Sequence, residues 1–242
     1  MLLKELRTAV LEANLELVKR GLVLYTFGNA SGIDRGEGLV VIKPSGVDYD
    51  DLRPELMVVT DLDGKVVDGT LKPSSDLETH TLLYREFAAI GAVVHTHSEF
   101  ATSFAQAGME IPALGTTHAD YFYGPVPCTA PLSDEAIGGR YVHETGLAIV
   151  RRFAATPAGS GGPARQAIDP LAVPACLVTG HAPFCWGRDA HEAAHNAVVL
   201  EYIARMAYRT LTLQADADGV SQALLNRHYF RKHGPRATYG QG

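Results

Sequence analysis

Ala92-Val93-Val94 is an apolar run closed by His95-Thr96-His97. Side chains two apart in a strand share a face, so His95 and His97 can point the same way and hold one ion at the end of a buried strand. Before this run comes Lys72-Pro73-Ser74-Ser75-Asp76, which opens a helix. After it comes the block from Gly115 to Gly124, with Asp120 inside it. Hydroxyls, two carboxylates and two imidazoles thus crowd into the stretch 72–124. A scaffold has little use for that set, whereas a metal enzyme acting on a small phosphorylated molecule needs all of it.

The composition removes several other classes. Of the 242 residues, 46% are hydrophobic and 20% charged, the balance of a globular chain. A net charge of −6 offers no basic face to nucleic acid or an anionic membrane. No apolar run approaches the roughly 20 residues needed to span a bilayer. Lys4, Glu5, Arg7 and Glu12 do not make a signal peptide. Cys128, Cys176 and Cys185 are too few, and odd in number, for a disulfide framework. They read as core residues of a cytoplasmic protein.

The periodicity predicts a helix over about 3–19, ended at Gly21, from Leu3, Leu6, Val10, Ala13 and Leu17. Gly28-Asn29-Ala30-Ser31-Gly32 reads as a polar turn between two strand-like runs, the second being Leu39 to Ile42. Lys43-Pro44-Ser45-Gly46 is another turn. Asp63-Gly64 marks a hairpin between Val58-Val59 and Lys65-Val66-Val67. Residues 75–90 read as a helix with Ser75 and Glu78 as a capping box, 92–97 as a strand and 99–107 as a helix. Ser133 opens a further helix, 146–150 reads as a strand, and Cys176 to Thr179 as a short buried strand. Asp189 N-caps a long helix over about 189–210. The Gly/Pro-rich stretch 155–170 is a loop too short to divide two domains, so residues 1–242 are expected to form one domain. Helices and hairpin signals together predict an α/β chain whose sheet is mixed rather than purely parallel.

A third imidazole strengthens the metal reading. Gly180-His181 follows a buried strand, and strand ends are where α/β proteins gather ligand groups. Three histidines with an open position are the pattern of catalytic zinc (Zn2+); Mn2+ and Co2+ suit the same donors less well. Ser74-Ser75-Asp76 is an ordinary helix opening, yet free amides and hydroxyls there also bind anions. Ser45-Gly46 and Gly28-Asn29 are two more turns of that character, and the three together suggest a phosphate cradle. A competing motif, His191-Glu192-Ala193-Ala194-His195, has the zinc-protease spacing. Its longer form needs Gly and His further on, where this chain has Val198 and Glu201, so the protease reading is set aside. His118, His143 and His233 read as surface or packing residues.

These residues resemble the class II aldolase family, and within it the sugar-phosphate 4-epimerases. The similarity runs nearly end to end: Gly28-Asn29, Lys43 to Tyr49, Lys72 to Asp76, His95 to Ser98, Gly115 to Gly124, Gly180-His181, and Leu225-Asn226-Arg227-His228-Tyr229. The block 115–124 carries the epimerase-like part. The resemblance implies a three-layer fold, with a central, mostly antiparallel sheet flanked by helices. It implies a homotetramer with active sites between subunits. Its metal would rest on His95, His97 and His181 with Asp76 beside or among the ligands. The substrate phosphate would sit among Gly28, Asn29, Ser45, Gly46, Ser74 and Ser75. Asp120 and Tyr239 would transfer protons, with Tyr239 and His228 arriving in a C-terminal tail, about 226–242, from a neighbouring subunit. Val142 stands where some epimerases carry a carboxylate, so no such role is assigned.

The implied activity interconverts L-ribulose 5-phosphate and D-xylulose 5-phosphate, in carbohydrate metabolism such as L-arabinose catabolism. The alternative is an aldolase acting on an L-fuculose- or L-rhamnulose-type 1-phosphate; aldolase relatives carry Glu where Asp76 stands. A non-catalytic, adducin-like binding module would not need the three histidines.

Overall fold

The computed structural model describes residues 1–157, 164–235 and 237–239. Its centre is a seven-stranded sheet in which every strand pairs antiparallel with its neighbours. The strands are β1 (Asn29–Asp34), β2 (Leu39–Ile42), β3 (Val58–Asp61), β4 (Val66–Asp68), β5 (Ala92–His95), β6 (Ala175–Leu177) and β7 (Pro183–Gly187). Their order is β4-β3-β2-β1-β5-β7-β6, so the expected mixed sheet is antiparallel throughout.

Two helical layers cover it. Helices α1 (Lys4–Lys19), α3 (Glu99–Gln106) and α7 (Ala190–Leu213) pack on one face; α2 (Leu77–Glu86) and α6 (Tyr141–Phe153) pack on the other. The period-two alternation of the strands sorts the core. Val41, Val59, Ala92, Val94 and Cys185 face the α1/α7 side, while Val40, Val93, Phe184 and Trp186 face α2 and α6. Short helices α4 (Thr116–Ala119) and α5 (Asp134–Gly138) lie between, and α8 (Gln222–Lys232) follows α7. The three-layer expectation holds.

Four local readings need correction. The stretch read as a polar turn, 28–32, is largely the central strand β1, buried along most of its length. Its small residues let α1 lie close, since a Cβ on Gly32 would come within 2.8 Å of Leu6 Cδ1. Only Gly28, at φ +78°, makes the turn. Residues 146–150 are helical, inside α6. Thr145, Gly146, Ile149 and Phe153 share a buried helical stripe, and Gly146 admits Leu82 of α2, whose Cδ2 lies 2.6 Å from where a Cβ would stand. The capping box at Ser75 and Glu78 is not formed. Asp76 holds the N-cap position without a side-chain cap, its carboxylate accepts from Asn29, and Glu78 pairs with Arg140 at 2.8 Å. Much of the expected tail, 226–232, belongs to α8, which buries Leu225 and Tyr229 and packs on α4 of its own chain.

Other expectations hold. The Asp63-Gly64 hairpin joins β3 and β4, with Gly64 at φ +83°. Asp189 caps α7 by accepting from Glu192 N at 2.8 Å, and Ser133 caps α5. The expected strand over 92–97 is shorter than read: β5 stops at His95, so His97 stands on the loop beyond it. Of the 155–170 stretch, residues 158–163 lie outside the described residues; Thr156 and Arg165 pair backbone to backbone across them. Strand β7 has no counterpart in the sequence reading.

Candidate active site

Strand β5 delivers His95, the next turn His97, and the β6–β7 turn His181, where Gly180 at φ +72° reverses the chain. One ring nitrogen from each lies within 4.8 Å of the other two, the one such group of three among the described residues. His95 Nε2 and His97 Nε2 are 3.2 Å apart. The Pro183 carbonyl, 2.9 Å from His95 Nδ1, can only accept. Nδ1 therefore carries the proton and Nε2 turns its lone pair inward. Phe184 stacks on the same ring at 4.2 Å between centroids, fixing its plane. Burial lowers all three imidazoles, His95 to about 3, so they are neutral donors at neutral pH. Neutral, convergent, orientation-locked imidazoles fit a divalent cation.

Asp76 lines the same cavity but stands outside that mutual 4.8 Å group. Burial pushes its carboxyl up. Electrostatic attraction to His95 and His80, the Asn29 amide at 2.6 Å and His181 outweigh this and leave it below the usual range. The Tyr141 hydroxyl lies 3.2 Å from His181 Nδ1, a contact the sequence did not suggest. Removing it in Tyr141→Phe is expected to weaken metal binding about 10–100-fold, the usual cost of losing an outer-shell partner. A competition titration with a chromogenic chelator measures this.

The cavity beside the histidines is about 570 Å³. Gly28, Asn29, Ser45, Gly46, Ser74 and Ser75 all line it, so the three turns read separately from the sequence do converge. Two backbone bonds tie the second turn to the third, Ser45 N donating to Lys72 O at 2.9 Å and Ser74 N to Lys43 O at 3.0 Å, and the Asn29 amide ties the first to Asp76 at 2.6 Å. Gly46 takes φ +68°. Lys43 and Phe27 also line the cavity, and neither was assigned to the site. Lys43 is 2% exposed and donates to Val47 O at 2.9 Å. Its place in the Lys-Pro-Ser-Gly turn was the available signal.

Asp120, His228 and Tyr239 do not line this cavity. They form a second cluster in the same chain. Asp120 accepts from Arg231 at 2.8 Å and lies 3.0 Å from His228 Nδ1, with Lys232 Nζ at 3.6 Å. The exposed Tyr239 ring lies 4.2 Å from Lys232 Nζ. Burial raises the Asp120 carboxyl, and the bonds from Arg231 and His228 with the Lys232 charge more than reverse it.

The protease-like pair takes no part in the histidine group. His191 and His195 rings lie 6.5 Å apart, and Glu192 is held by Arg188 at 2.7 Å. Glu201 instead accepts from Phe100 N and Ala101 N at 2.8 and 2.9 Å, closing the start of α3. His118 packs in the interior and contacts Gly124 O at 2.7 Å, as a packing residue should. Cys128, Cys176 and Cys185 are free thiols whose burial raises their pKa values.

Buried neutral histidines also set an acid limit. Burial lowers His80 and His118 to about 4, against about 6.5 for a free imidazole. Between those values the unfolded chain takes up protons that the folded chain refuses. Stability is therefore fully present above about pH 6.5 and is lost as pH falls toward 4. Urea midpoints of metal-free protein should fall steadily from pH 7 to 5; a constant midpoint would contradict this.

An antiparallel three-layer α/β fold carries three convergent histidines that could hold a metal ion beside a hydroxyl-lined cavity, and residues 8–208 match the family described as Class II Aldolase and Adducin N-terminal domain. The chain belongs to that family. The L-ribulose-5-phosphate 4-epimerases UlaF of Salmonella paratyphi A and Salmonella typhi are each 49% identical to it over 239 residues, covering 99% of this chain and 100% of theirs. Among solved structures, an L-fuculose 1-phosphate aldolase superposes with a TM-score of 0.74 at 21% identity, over 93% of this chain and 94% of that one. The L-fuculose-1-phosphate aldolase of Thermus thermophilus gives 0.65 at 23%, over 89% and 100%. Those two likenesses speak for the fold alone. The family is metal-dependent, in keeping with the His95, His97 and His181 group. No helix among the described residues is long and apolar enough to cross a membrane.

Proposed function

We propose that this chain is a metal-dependent isomerase, a sugar-phosphate 4-epimerase interconverting L-ribulose 5-phosphate and D-xylulose 5-phosphate. The observation that carries the reading is the 49% identity along the whole chain to proteins named for that activity. The convergent histidines and the hydroxyl-lined cavity agree with it. In this reading residues 1–242 act as one domain, in the cytoplasm.

The chemistry constrains the roles. The C4 proton of a ketopentose phosphate is not acidic, so simple deprotonation cannot invert C4. Breaking the C3–C4 bond by a retro-aldol step can: the C4 hydroxyl loses its proton, the bond opens, and an aldehyde fragment bearing the phosphate is released within the site. That aldehyde turns its other face and the bond re-forms. A divalent ion on His95, His97 and His181, with Asp76 beside it, would supply Lewis acidity to the C2 carbonyl and C3 hydroxyl; zinc suits these donors best, with manganese or cobalt as alternatives. Ser45, Gly46, Ser74 and Ser75, with Gly28 and Asn29, hold the phosphate while the aldehyde turns. An acid/base is needed on each face, and we assign Asp120 and Tyr239.

Those two residues and His228 cluster away from their own chain's metal cavity, so they would serve the cavity of a neighbouring copy, as a unit. This favours a homotetramer with shared active sites. Sedimentation should find an oligomer carrying the activity; a fully active monomer would rule it out.

Paired incubations test the function. L-ribulose 5-phosphate should give D-xylulose 5-phosphate. Dihydroxyacetone phosphate with L-lactaldehyde should give no net aldol product; efficient condensation without epimerisation would favour an aldolase instead.

A further inference from the structure

We propose that the cavity further along α6 from the metal site binds a small phosphate monoester. This cavity is about 730 Å³, larger than the one beside the histidines, and Arg151, Arg152 and Arg165 line it together with Thr129, Ser133 and Thr179. Tyr141 and Val142, at the start of α6, line the metal cavity. Glu144, Ala148, Arg151 and Arg152, further along the helix, line this one.

Two of the guanidiniums are incompletely satisfied. Arg152 Nη1 and Arg165 Nε are shielded from solvent and have no hydrogen-bond partner among the described residues. Buried donors of this kind cost stability unless an acceptor meets them, and charged donors cost more. Arg152 spends Nε on Cys128 O at 3.0 Å, and Arg165 spends Nη2 on Arg151 O and Thr156 Oγ1 at 3.2 Å each. The nearby carboxylates do not meet the need. Glu110 is 3.4 Å from Arg152 Nη2 and Glu144 is 3.8 Å from Arg151 Nη1, both long contacts to other atoms. Burial, and then the Arg152 charge, lower the Arg165 pKa.

A tetrahedral oxyanion answers this arrangement. The planar guanidinium fork of the arginines that line the cavity matches phosphate geometry. Ser133 Oγ and Thr129 Oγ1 already accept from Ala136 N and Thr179 N, which leaves their hydroxyl hydrogens to donate. The volume beyond the arginines leaves space for a small organic group on the phosphate. Occupancy would bear on the metal site, because Thr179 lies two residues before His181 and is tied to Thr129 through its amide at 3.1 Å.

Inorganic phosphate is the probe, titrated calorimetrically into the full-length, metal-loaded protein at low ionic strength. Wild type should bind two phosphates per chain, one in each cavity. Ser74→Ala with Ser75→Ala should remove the site near the histidines and leave the other. Arg165→Gln should weaken the second site roughly tenfold or more, the value of a charged hydrogen bond. Arg151→Gln should also weaken it. The Arg151 side chain is 69% exposed and among the described residues pairs only with Glu144, so that variant will fold. Loss confined to the arginine variants supports the proposal whether or not the serine cradle is correct. A single wild-type site that vanishes with the serines alone, or two sites indifferent to both arginine variants, would overturn it.

Discussion

His95→Ala should release most of the bound metal and slow epimerisation by about a thousandfold or more. A three-imidazole site cannot keep its affinity with two. The Lewis acidity it supplies is worth several kcal/mol, and each 1.36 kcal/mol is a decade of rate. His95 is the buried member, with Nδ1 committed to Pro183 O and its ring stacked on Phe184, so no neighbouring imidazole can take its place. His97→Ala should behave alike. Elemental analysis should find about one divalent ion per wild-type chain and far less in either variant. His191→Ala is the control, since His191 stands outside the histidine group. Full metal in both His95→Ala and His97→Ala would mean that the ion sits elsewhere. Loss in His191→Ala would revive the protease-like pair.

Asp120→Asn and Tyr239→Phe should each cut epimerisation by roughly 10²–10⁴-fold, the usual worth of a lost acid or base, while leaving metal content intact. Tyr239→Phe is the cleaner test. Its ring is exposed, and the substitution removes one hydroxyl while keeping the ring over Lys232. Asp120→Asn also weakens the pairing with Arg231 and His228 that ties α8 to the 116–124 segment, so its effect combines chemistry with docking of α8. If each residue serves one face of the aldehyde, either variant can still open the C3–C4 bond slowly and release the phosphorylated aldehyde. Trapping that aldehyde distinguishes a missing proton carrier from a collapsed site. Wild-type rates in both variants would move the acid/base pair elsewhere, with His228 next in line.

The sequence made the donors legible and hid much of their support. His95 and His97 were paired on strand alternation, yet β5 ends at His95 and it is the loop beyond that brings His97 beside it; His181 was legible because a glycine turn followed an apolar run. The three phosphate turns were visible as turns, but their convergence depends on long-range backbone bonds such as Ser45 N to Lys72 O, which no local pattern encodes. The misread segments share a cause. β1 is built from Asn, Ala, Ser and Gly because α1 lies close over it, so tertiary packing replaced strand propensity. Residues 146–150 are apolar enough for a strand, yet Gly146 sits in α6 to receive Leu82. In α8, only Leu225 and Tyr229 face inward, too few to separate a docked helix from a tail. The second cluster, around Asp120, was legible only as separate residues. Its distance from the metal cavity of its own chain became visible only in the folded arrangement.

The most direct test of the account follows D-xylulose 5-phosphate formed from L-ribulose 5-phosphate by one protein preparation, as isolated, stripped with a chelator, and reloaded with zinc. The account predicts conversion as isolated, little after stripping, and recovery on reloading, with His95→Ala inert in all three states. Conversion that survives complete removal of the metal, or no conversion with zinc, manganese or cobalt bound at His95, His97 and His181, would contradict it.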